Sequence, residues 1–321
     1  MKVVVTTKDF CEEAKRYLES EGFEVALRNR LGIGAGAPDD VLYPVVEDAD
    51  AIIAGTETYR PELLARLRNL KLICRNGIGY DAINLDALRK EGIGLTRTKG
   101  FVGGAVAEQV MAYILYFARR VDLQSADMHD HCWNSRLMPG AKNHTIGLVG
   151  FGGIGTEVAK RAVPFGMKVI YFCRHPNPAD DAAYGVQSVS MEELLKESDY
   201  VVAAVPLTDQ TFHLFNEERI AQMKAGSVLI NIARGPVVDE EALAQALASG
   251  HLGGCAVDVF PKEPCTNSVL TRYANALLTP HSATSTAENS KATNFAAANN
   301  LVNYLKKDID AKYVVVQGTR Y

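Results

Sequence analysis

The sequence lacks the features that mark secreted, membrane-spanning and metal-binding proteins. Its six cysteines form neither a Cys-x-x-Cys pair nor a ladder of close pairs, so we expect reduced, buried thiols rather than disulfides or a metal site. The longest apolar run, Val110–Ala118, is about half as long as a bilayer-spanning helix must be. The first residues run directly into a strand-like segment rather than a signal peptide. These absences predict a cytoplasmic protein.

The chain also lacks a strong excess of charge of either sign. A formal net charge of −4 over 321 residues gives no reason to expect nucleic acid or a membrane surface as partner. Hydrophobic residues make up 47% and charged residues 22%, a balance typical of globular proteins. A chain of this length exceeds one ordinary hydrophobic core, which predicts two domains.

Short apolar, β-branched runs alternate with helical stretches along almost the whole chain. Continuous apolar strands are typical of parallel sheets covered on both faces. Two such series predict an α/β protein with two doubly wound parallel-sheet domains. The first series of predicted strands is Lys2–Thr7, Phe23–Leu27, Ala51–Ala54, Leu70–Cys74 and Gly94–Thr98. The second is Thr145–Gly150, Lys168–Cys173, Tyr200–Pro206, Ser227–Arg234, Gly253–Val259 and Ala276–Pro280.

Four helical stretches have a clear pattern. They are Phe10–Ser20, Pro61–Arg68, Ala105–Arg120 and Thr286–Lys306. The last two flank the second series and suit connections between domains. The final helix could carry the chain back onto the first domain and make that domain discontinuous. The tail, Val314–Tyr321, either packs on a partner subunit or frays.

A glycine-rich turn, Gly150-Phe-Gly152-Gly153-Ile154-Gly155, follows a predicted strand and opens a predicted helix. In this setting the first glycine permits the tight turn and the second lets the backbone approach a pyrophosphate. The third allows the helix to pack closely on the strand. The turn therefore predicts dinucleotide binding. Another glycine series, Gly32–Gly36, precedes Ala-Pro-Asp-Asp and is interpreted as a loop that binds no dinucleotide.

The end of the next strand bears on which dinucleotide binds. NAD-selective sites usually place Asp or Glu about 20 residues after the glycines, where it holds the ribose 2′-hydroxyl. This chain has Cys173, Arg174 and His175 there. Because a guanidinium can bind a 2′-phosphate bidentately, we expect NADP to be preferred to NAD, with Arg174 as the chief contact and His175 assisting.

Three residues stand at the ends of predicted strands of the second domain, where ligands of open α/β sheets bind. Arg234 precedes Gly-Pro, Glu263 lies in a loop with prolines on both sides, and His281 follows Pro280. Taken alone, each of these residues fits an ordinary surface position as well as it fits a catalytic one. Together they are candidates for catalysis, because histidine is the side chain most suited to proton transfer near neutral pH.

In order along the chain, these motifs resemble the D-isomer-specific 2-hydroxyacid dehydrogenase family. The resemblance extends to Asn76–Asp81, Val106–Glu108, Trp133 and Pro206–Thr208, and covers nearly the whole chain. It implies a nucleotide-binding Rossmann domain, residues 100–287, inserted in a discontinuous flavodoxin-like substrate domain, residues 1–99 and 288–321. It also implies a homodimer.

The resemblance implies a role for each site residue. His281 would be the general acid, Glu263 would bind its other ring nitrogen, and Arg234 would bind the substrate carboxylate. Asp258 would accept a hydrogen bond from the nicotinamide amide. The further residues implied at the substrate are Thr56, Gly77, Ile78 and Gly79. Those implied at the cofactor, besides the glycine turn, residues 173–175 and His281, are Val205, Pro206, Ile232 and Ala233.

The substrate is less well defined by the sequence. Related phosphoglycerate dehydrogenases tend to carry Arg at the position of Gly55, so glycine there and the nearby Glu57 favour a small unphosphorylated 2-keto acid, as in glyoxylate/hydroxypyruvate reductases. Arg75 keeps phosphoglycerate dehydrogenase open as an alternative. A second alternative is a non-catalytic NAD(H)-sensing binding protein of the same fold. Formate oxidation is disfavoured, because that branch typically has Gln at the position of Glu263.

Overall fold

The computed structural model describes residues 1–29 and 33–320, which divide into two compact units. Unit 1 consists of Met1–Val102 together with the segment from Thr284 onward, and unit 2 is Gly103–Ala283. The limits predicted from the sequence, 99/100 and 287/288, lie a few residues away. The assignment of one domain to substrate and the other to cofactor stays a prediction.

The two units are built from strands and helices that alternate along the chain. The strands are β1 Lys2–Val5, β2 Glu24–Leu27, β3 Ala51–Ala54, β4 Leu72–Arg75, β5 Gly94–Arg97, β6 Thr145–Val149, β7 Lys168–Phe172, β8 Gln187–Ser188, β9 Tyr200–Ala203, β10 Val228–Asn231, β11 Gly254–Val257, β12 Ala276–Leu278 and β13 Val314–Val316. The helices are α1 Glu12–Ser20, α2 Asp39–Val46, α3 Pro61–Arg66, α4 Leu85–Glu91, α5 Gly103–Arg119, α6 Val121–His129, α7 Gly153–Ala162, α8 Pro178–Tyr184, α9 Met191–Glu197, α10 Glu217–Ala221, α11 Glu240–Ala248 and α12 Ala287–Leu305.

Unit 1 contains a six-stranded sheet in the order β2-β1-β3-β4-β5-β13. The first five strands are parallel and have the flavodoxin-like order, whereas β13 runs antiparallel to β5. All four residues of β3 are buried, as expected for a strand with both faces covered. Helix α12 packs in this unit against α1, β4 and β5. Unit 1 is therefore formed by two separate segments of the chain.

Unit 2 contains a seven-stranded parallel sheet in the order β8-β7-β6-β9-β10-β11-β12. The six strands from β8 to β11 follow the classic dinucleotide-binding order, with the reversal of strand order between β6 and β9. Ligands of such sheets bind at the carboxyl ends of the strands beside this reversal. The predicted fold class, with two doubly wound parallel sheets, is confirmed.

The structure differs from the predicted elements at several places. Strands β9 and β10 end at Ala203 and Asn231, earlier than predicted, because the residues that follow leave the sheet and form loops. The short strand β8 and the edge strand β13 were not predicted. Residues Val314–Val316 pair with β5 in the same unit, so this part of the tail neither frays nor needs a partner subunit to hold it.

Two further predictions concern single segments. Of the glycine series Gly32–Gly36, Gly32 lies outside the described residues, and the remainder lies in the connection between β2 and α2. Among the residues that the structure describes, none of the helices has the length and apolar character needed to span a bilayer.

Candidate active site

The glycine-rich turn connects β6 to α7 in unit 2, beside the reversal of strand order. Gly150 has a φ of +103°, and a Cβ there would lie 2.5 Å from the carbonyl oxygen of Ala204. A Cβ at Gly155 would lie 2.6 Å from the carbonyl oxygen of Gly150. Any side chain at either position would therefore push α7 or β9 away from β6.

The geometry of this turn fits a dinucleotide. A Cβ at Gly152 or Gly153 would meet no atom within 4 Å, so the backbone there is open to close approach by a ligand. Gly152 is the N-cap of α7 and offers no side-chain acceptor to the first N–H groups of the helix. Free N–H groups and the positive end of the helix dipole favour an anionic group such as a pyrophosphate.

Several other predicted cofactor residues lie near this turn or at the same edge of the sheet. Val205 follows β9 and packs on the turn, since its Cγ1 would lie 3.0 Å from a Cβ at Gly150. Pro206 is exposed beside it. Ile232 and Ala233 follow β10 and are buried.

The end of β7 carries no carboxylate. Cys173 is half-buried, and Arg174 and His175 are exposed in the bend that follows the strand. Asp180 and Asp181 are the next acidic residues along the chain. The Asp181 carboxylate accepts a hydrogen bond from the Tyr171 hydroxyl at 2.7 Å, so it is already engaged.

Arg234 extends from a short turn after β10 that the Asn231 side chain stabilises. The Asn231 amide donates to the Arg234 carbonyl at 3.0 Å, and its Oδ1 accepts from the Ala233 N–H at 3.1 Å. Asn231 is only 1% exposed, so this amide serves the turn rather than a ligand. The Arg234 backbone is extended and its side chain is half-buried, with Nη1 donating to the Ala233 carbonyl.

Gly235 brings the Arg234 turn against the loop that carries Glu263. A Cβ at Gly235 would lie 2.0 Å from the Phe260 carbonyl carbon and 2.2 Å from the Pro261 nitrogen, both of which are backbone atoms. Only glycine allows this approach. The requirement explains why glycine follows Arg234, and why two segments separated in sequence form one wall.

Glu263 and His281 form a hydrogen-bonded pair. Oε2 of Glu263 lies 2.6 Å from Nδ1 of His281, and Oε1 accepts from the Phe260 N–H at 3.0 Å. The histidine side chain keeps 37% of its surface exposed and that of Glu263 keeps 21%, so the ring remains accessible while the carboxylate is largely covered. Nε2, on the other side of the ring, makes no hydrogen bond to a described residue.

The surroundings of Glu263 favour its ionised form. Burial by itself would raise the pKa of this carboxyl, but the hydrogen bond to His281 and the Phe260 N–H outweigh burial. The charges of His281 and Arg234 lower the pKa further. The net direction is downward, which leaves a carboxylate beside the imidazole at neutral pH. Such a pair fixes the orientation of the ring.

Asp258 is buried and its carboxylate holds the loop that carries His281. Oδ1 accepts from the Thr279 hydroxyl at 2.6 Å and from the Ser282 N–H at 2.8 Å, and Oδ2 accepts from the Ala283 N–H at 3.0 Å. Three of the carboxylate's roughly four acceptor positions are therefore used within the protein. Its role towards a nicotinamide amide stays a prediction.

The predicted substrate residues of unit 1 lie at the carboxyl ends of β3 and β4. Thr56 is exposed, and Gly77, Ile78 and Gly79 form the half-buried turn after β4. The structure thus brings Arg234, Glu263, His281 and Asp258 together in unit 2, and places this turn in unit 1. That both sets meet one substrate stays a prediction.

Sequence reasoning missed the residues that hold the site in shape. Asn231, Thr279 and Tyr113 were not singled out. The first two carried a weak signal, since each is a polar residue at the end of an apolar strand, shortly before a candidate residue. Tyr113 lies inside α5 and carried none.

Comparison with known proteins identifies the family. The model of the D-isomer specific 2-hydroxyacid dehydrogenase NAD binding domain matches residues 111–283, which lie within unit 2. The chain belongs to this family. The predicted membership is thereby confirmed.

Among the residues that the structure describes, there is no group of three or more His, Cys, Asp or Glu that could hold a metal ion.

Similar proteins extend the match to the whole chain. Glyoxylate reductase of Thermococcus litoralis is 37% identical over 287 residues, which cover 86% of this chain and 87% of the relative. Hydroxypyruvate reductase of Thermotoga maritima is 37% identical over 256 residues, which cover 78% and 82%. The structure of D-lactate dehydrogenase from Aquifex aeolicus, complexed with NAD and lactic acid, is 27% identical with a TM-score of 0.84, covering 99% of this chain and 100% of its own.

Proposed function

We propose that this member of the family is an NAD(P)H-dependent reductase of small 2-keto acids that forms D-2-hydroxy acids. The observation that carries the proposal is the 2.6 Å hydrogen bond between Glu263 and His281, which lie on two loops at the carboxyl edge of the unit 2 sheet. Family membership and the glyoxylate and hydroxypyruvate reductases among its relatives support the same reaction.

The chemistry follows from the residues in unit 2. Reduction of a 2-keto acid adds a hydride to the carbonyl carbon and a proton to its oxygen. Reduced nicotinamide, when bound, supplies the hydride. His281 donates the proton from Nε2, while Glu263 keeps the ring oriented. Arg234 binds the substrate carboxylate and polarises the carbonyl. Its planar guanidinium makes two parallel hydrogen bonds to a carboxylate, a geometry that the ammonium group of a lysine does not reproduce.

We propose a substrate without a phosphate group. The Glu57 carboxyl is buried, with 2% exposure, and its Oε1 lies 2.8 Å from where a Cβ at Gly55 would stand. A longer side chain at position 55 would have to displace it. Arg75, at the end of the neighbouring strand, donates to the carbonyls of Ala54 and Asn76. A carboxyl group beside Arg75 opposes a second anionic group there, which favours glyoxylate or hydroxypyruvate over phosphohydroxypyruvate.

The preference for NADP over NAD is part of the proposal. It rests on the exposed Arg174 at the end of β7 and on the engagement of Asp181 with Tyr171. A free carboxylate at the end of β7 would repel the 2′-phosphate, whereas an arginine can bind it.

We further propose that the protein is a homodimer joined through residues 121–140, called here the arm. Helix α6 in the arm buries none of its residues. Large apolar side chains of the arm are exposed, with Trp133 at 88% and Leu137 at 102%. Exposed apolar surface of this kind marks interaction sites. Analytical ultracentrifugation of Leu137→Asp tests this, and we expect the molar mass to fall from that of a dimer to that of a monomer. If the variant has the same molar mass as the wild type, the arm is not the interface.

A cytoplasmic location is also proposed. Each of the six cysteines is a free thiol in the structure, and Cys132 is exposed. Exposed thiols suit a reducing compartment. Fractionation of the native source, with the protein detected by antibody, tests this.

The experiment for the reaction follows absorbance at the reduced-nicotinamide band with glyoxylate, hydroxypyruvate, pyruvate, larger 2-keto acids and phosphohydroxypyruvate. We expect turnover with NADPH and a small unphosphorylated acid, and loss of most of kcat in His281→Ala while NADPH still binds. Turnover that survives in His281→Ala would remove the histidine from the mechanism. Binding of the dinucleotide without turnover of any acid by the wild type would favour the NAD(H)-sensing alternative.

A further inference from the structure

The loop that carries His281 is wrapped around one buried side chain. Asp258 is 1% exposed and accepts hydrogen bonds from Thr279, Ser282 and Ala283, which lie on both sides of the histidine in sequence. Its own carbonyl accepts from the His281 N–H at 2.8 Å. The position of the histidine backbone therefore depends on the position of Asp258.

His281 has a backbone conformation that needs such support. Its φ is +50°, in the left-handed region that residues with a Cβ adopt at a cost. A residue held there by its surroundings returns to the extended or right-handed region when those surroundings loosen. The imidazole would then leave Glu263, because ring and backbone move together.

The hydrogen bonds continue beyond Asp258 into helix α5. Oγ1 of Thr279 lies 2.6 Å from Oδ1 of Asp258 and 2.5 Å from the hydroxyl oxygen of Tyr113. The Thr279 hydroxyl has one proton, which it gives to the carboxylate, so the Tyr113 hydroxyl is the donor to Thr279. Tyr113 is 1% exposed, and burial raises the pKa of its phenol, which keeps this donor proton in place at neutral pH.

We propose that Thr279 and Tyr113 are positioning residues for His281. The chain from Tyr113 through Thr279 to Asp258 fixes the rotation of the Asp258 side chain, and Asp258 fixes the turn that presents the histidine ring. Neither residue needs to touch the substrate or the dinucleotide. This inference rests on the proposed function, in which His281 is the proton donor.

The test compares Thr279→Val, Thr279→Ser and Tyr113→Phe with the wild type. Valine has the shape of threonine without the hydroxyl, so kcat is expected to fall about 10- to 100-fold, since small displacements of a reacting group have effects of this size. Serine keeps the hydroxyl and should restore kcat to within about threefold of the wild type. Phenylalanine at position 113 leaves the bond from Thr279 to Asp258 intact and should lower kcat by only about 2- to 5-fold.

The split between kinetic constants separates positioning from general damage. The Kd for NADPH and the KM for the keto acid should stay within about threefold in Thr279→Val, because Arg234 and the glycine turn are untouched and Asp258 keeps its bonds from the Ser282 and Ala283 N–H groups. The matched control is Thr293→Val, since Thr293 is buried in α12 with its hydroxyl bonded to the Asn289 carbonyl. Its kcat should equal that of the wild type even where Tm falls.

Three results would overturn the inference while the proposed function stands. One is unchanged kcat in Thr279→Val, with turnover by the wild type and loss of turnover in His281→Ala. Another is a loss in Thr279→Ser as large as that in the valine variant. The third is a rise in NADPH Kd that accounts for the whole loss of activity. Absence of turnover by the wild type itself would instead contradict the proposed function.

Discussion

The Glu263 carboxylate is held at both oxygens, with Oε2 2.6 Å from Nδ1 of His281 and Oε1 bonded to the Phe260 N–H. A carboxylate fixed in this way determines which ring nitrogen of the histidine faces away from it. Under the proposed function, proton transfer from His281 then depends on a group that does not itself touch the substrate.

The first prediction concerns this pair. Glu263→Gln keeps the shape of the side chain but replaces the carboxylate that pairs with Nδ1 of His281 by a neutral amide. Under the proposed function the histidine ring is then less firmly oriented towards the substrate, so kcat/KM for keto-acid reduction should fall about 10- to 100-fold. The measurement is kcat/KM across pH 5–9, with Glu241→Gln as control. Equal kcat/KM in Glu263→Gln and the wild type would exclude Glu263 as a group on which His281 depends.

The second prediction concerns cofactor choice. Arg174→Asp replaces a cation with a carboxylate at the end of β7, so the ratio of kcat/KM for NADPH to that for NADH should fall about 100-fold. Arg272→Asp introduces the same change of charge at another exposed position of unit 2 and should leave the ratio unaltered. Steady-state rates with both dinucleotides provide the ratio. Equal ratios in Arg174→Asp and the wild type would mean that Arg174 does not bind the 2′-phosphate.

The third prediction concerns substrate charge. Burial raises the pKa of the Glu57 carboxyl and Arg75 opposes this in part, so the variants are compared at pH 6, 7 and 8. Glu57→Gln should raise kcat/KM for phosphohydroxypyruvate relative to glyoxylate by about tenfold, because a negative charge beside Arg75 is removed. The control is Glu62→Gln, an exposed position in the first turn of α3. An identical ratio in both variants would remove Glu57 from substrate selection.

The fourth prediction concerns acid stability. Two hydrogen bonds from Arg28, at 2.8 Å each, and one from Lys2 lower the pKa of Asp48 from 3.8 to about 2. A lowered pKa contributes stability that is complete above 3.8 and is lost as the pH falls towards 2. Asp48 is partly exposed, so the contribution is that of a surface pair.

Accordingly, Asp48→Asn should lower the Tm of the protein by about 1–3 °C at pH 7, and the difference from the wild type should shrink below pH 4. Asp308→Asn, an exposed aspartate after α12, serves as control. Differential scanning calorimetry at pH 3, 5 and 7 makes the comparison. A difference that grows as the pH falls would have the wrong sign for a carboxylate with a lowered pKa.

Much of this fold was predictable because its signals are local. Gly150 and Gly155 stand where a side chain would collide with backbone, so the sequence reveals the turn directly. Continuous apolar strands revealed both parallel sheets. Strand β13 escaped prediction, because three valines near an edge do not show which strand they pair with or in which direction.

The candidate site likewise contains residues that the sequence identifies and residues that it does not. His281 and Glu263 were identifiable because few residue types transfer or direct protons near neutral pH. Tyr113 was not, since a tyrosine among apolar residues in a helix has the pattern of an ordinary core residue. Its hydroxyl oxygen lies 2.5 Å from Oγ1 of Thr279, a residue far away in sequence, so only the folded structure reveals this contact.

The edge strand β13 also has a consequence for biosynthesis. All seven strands of unit 2 have been made once the ribosome passes Leu278, whereas the sheet of unit 1 lacks its last strand until Val314–Val316 emerges. Until then the nascent chain displays β5 as an open edge, a surface that pairs readily with other unfinished chains. Because synthesis proceeds from the N-terminus, the sheet of unit 1 is begun first and completed last. The open edge of β5 is the surface that a chaperone would cover during this interval.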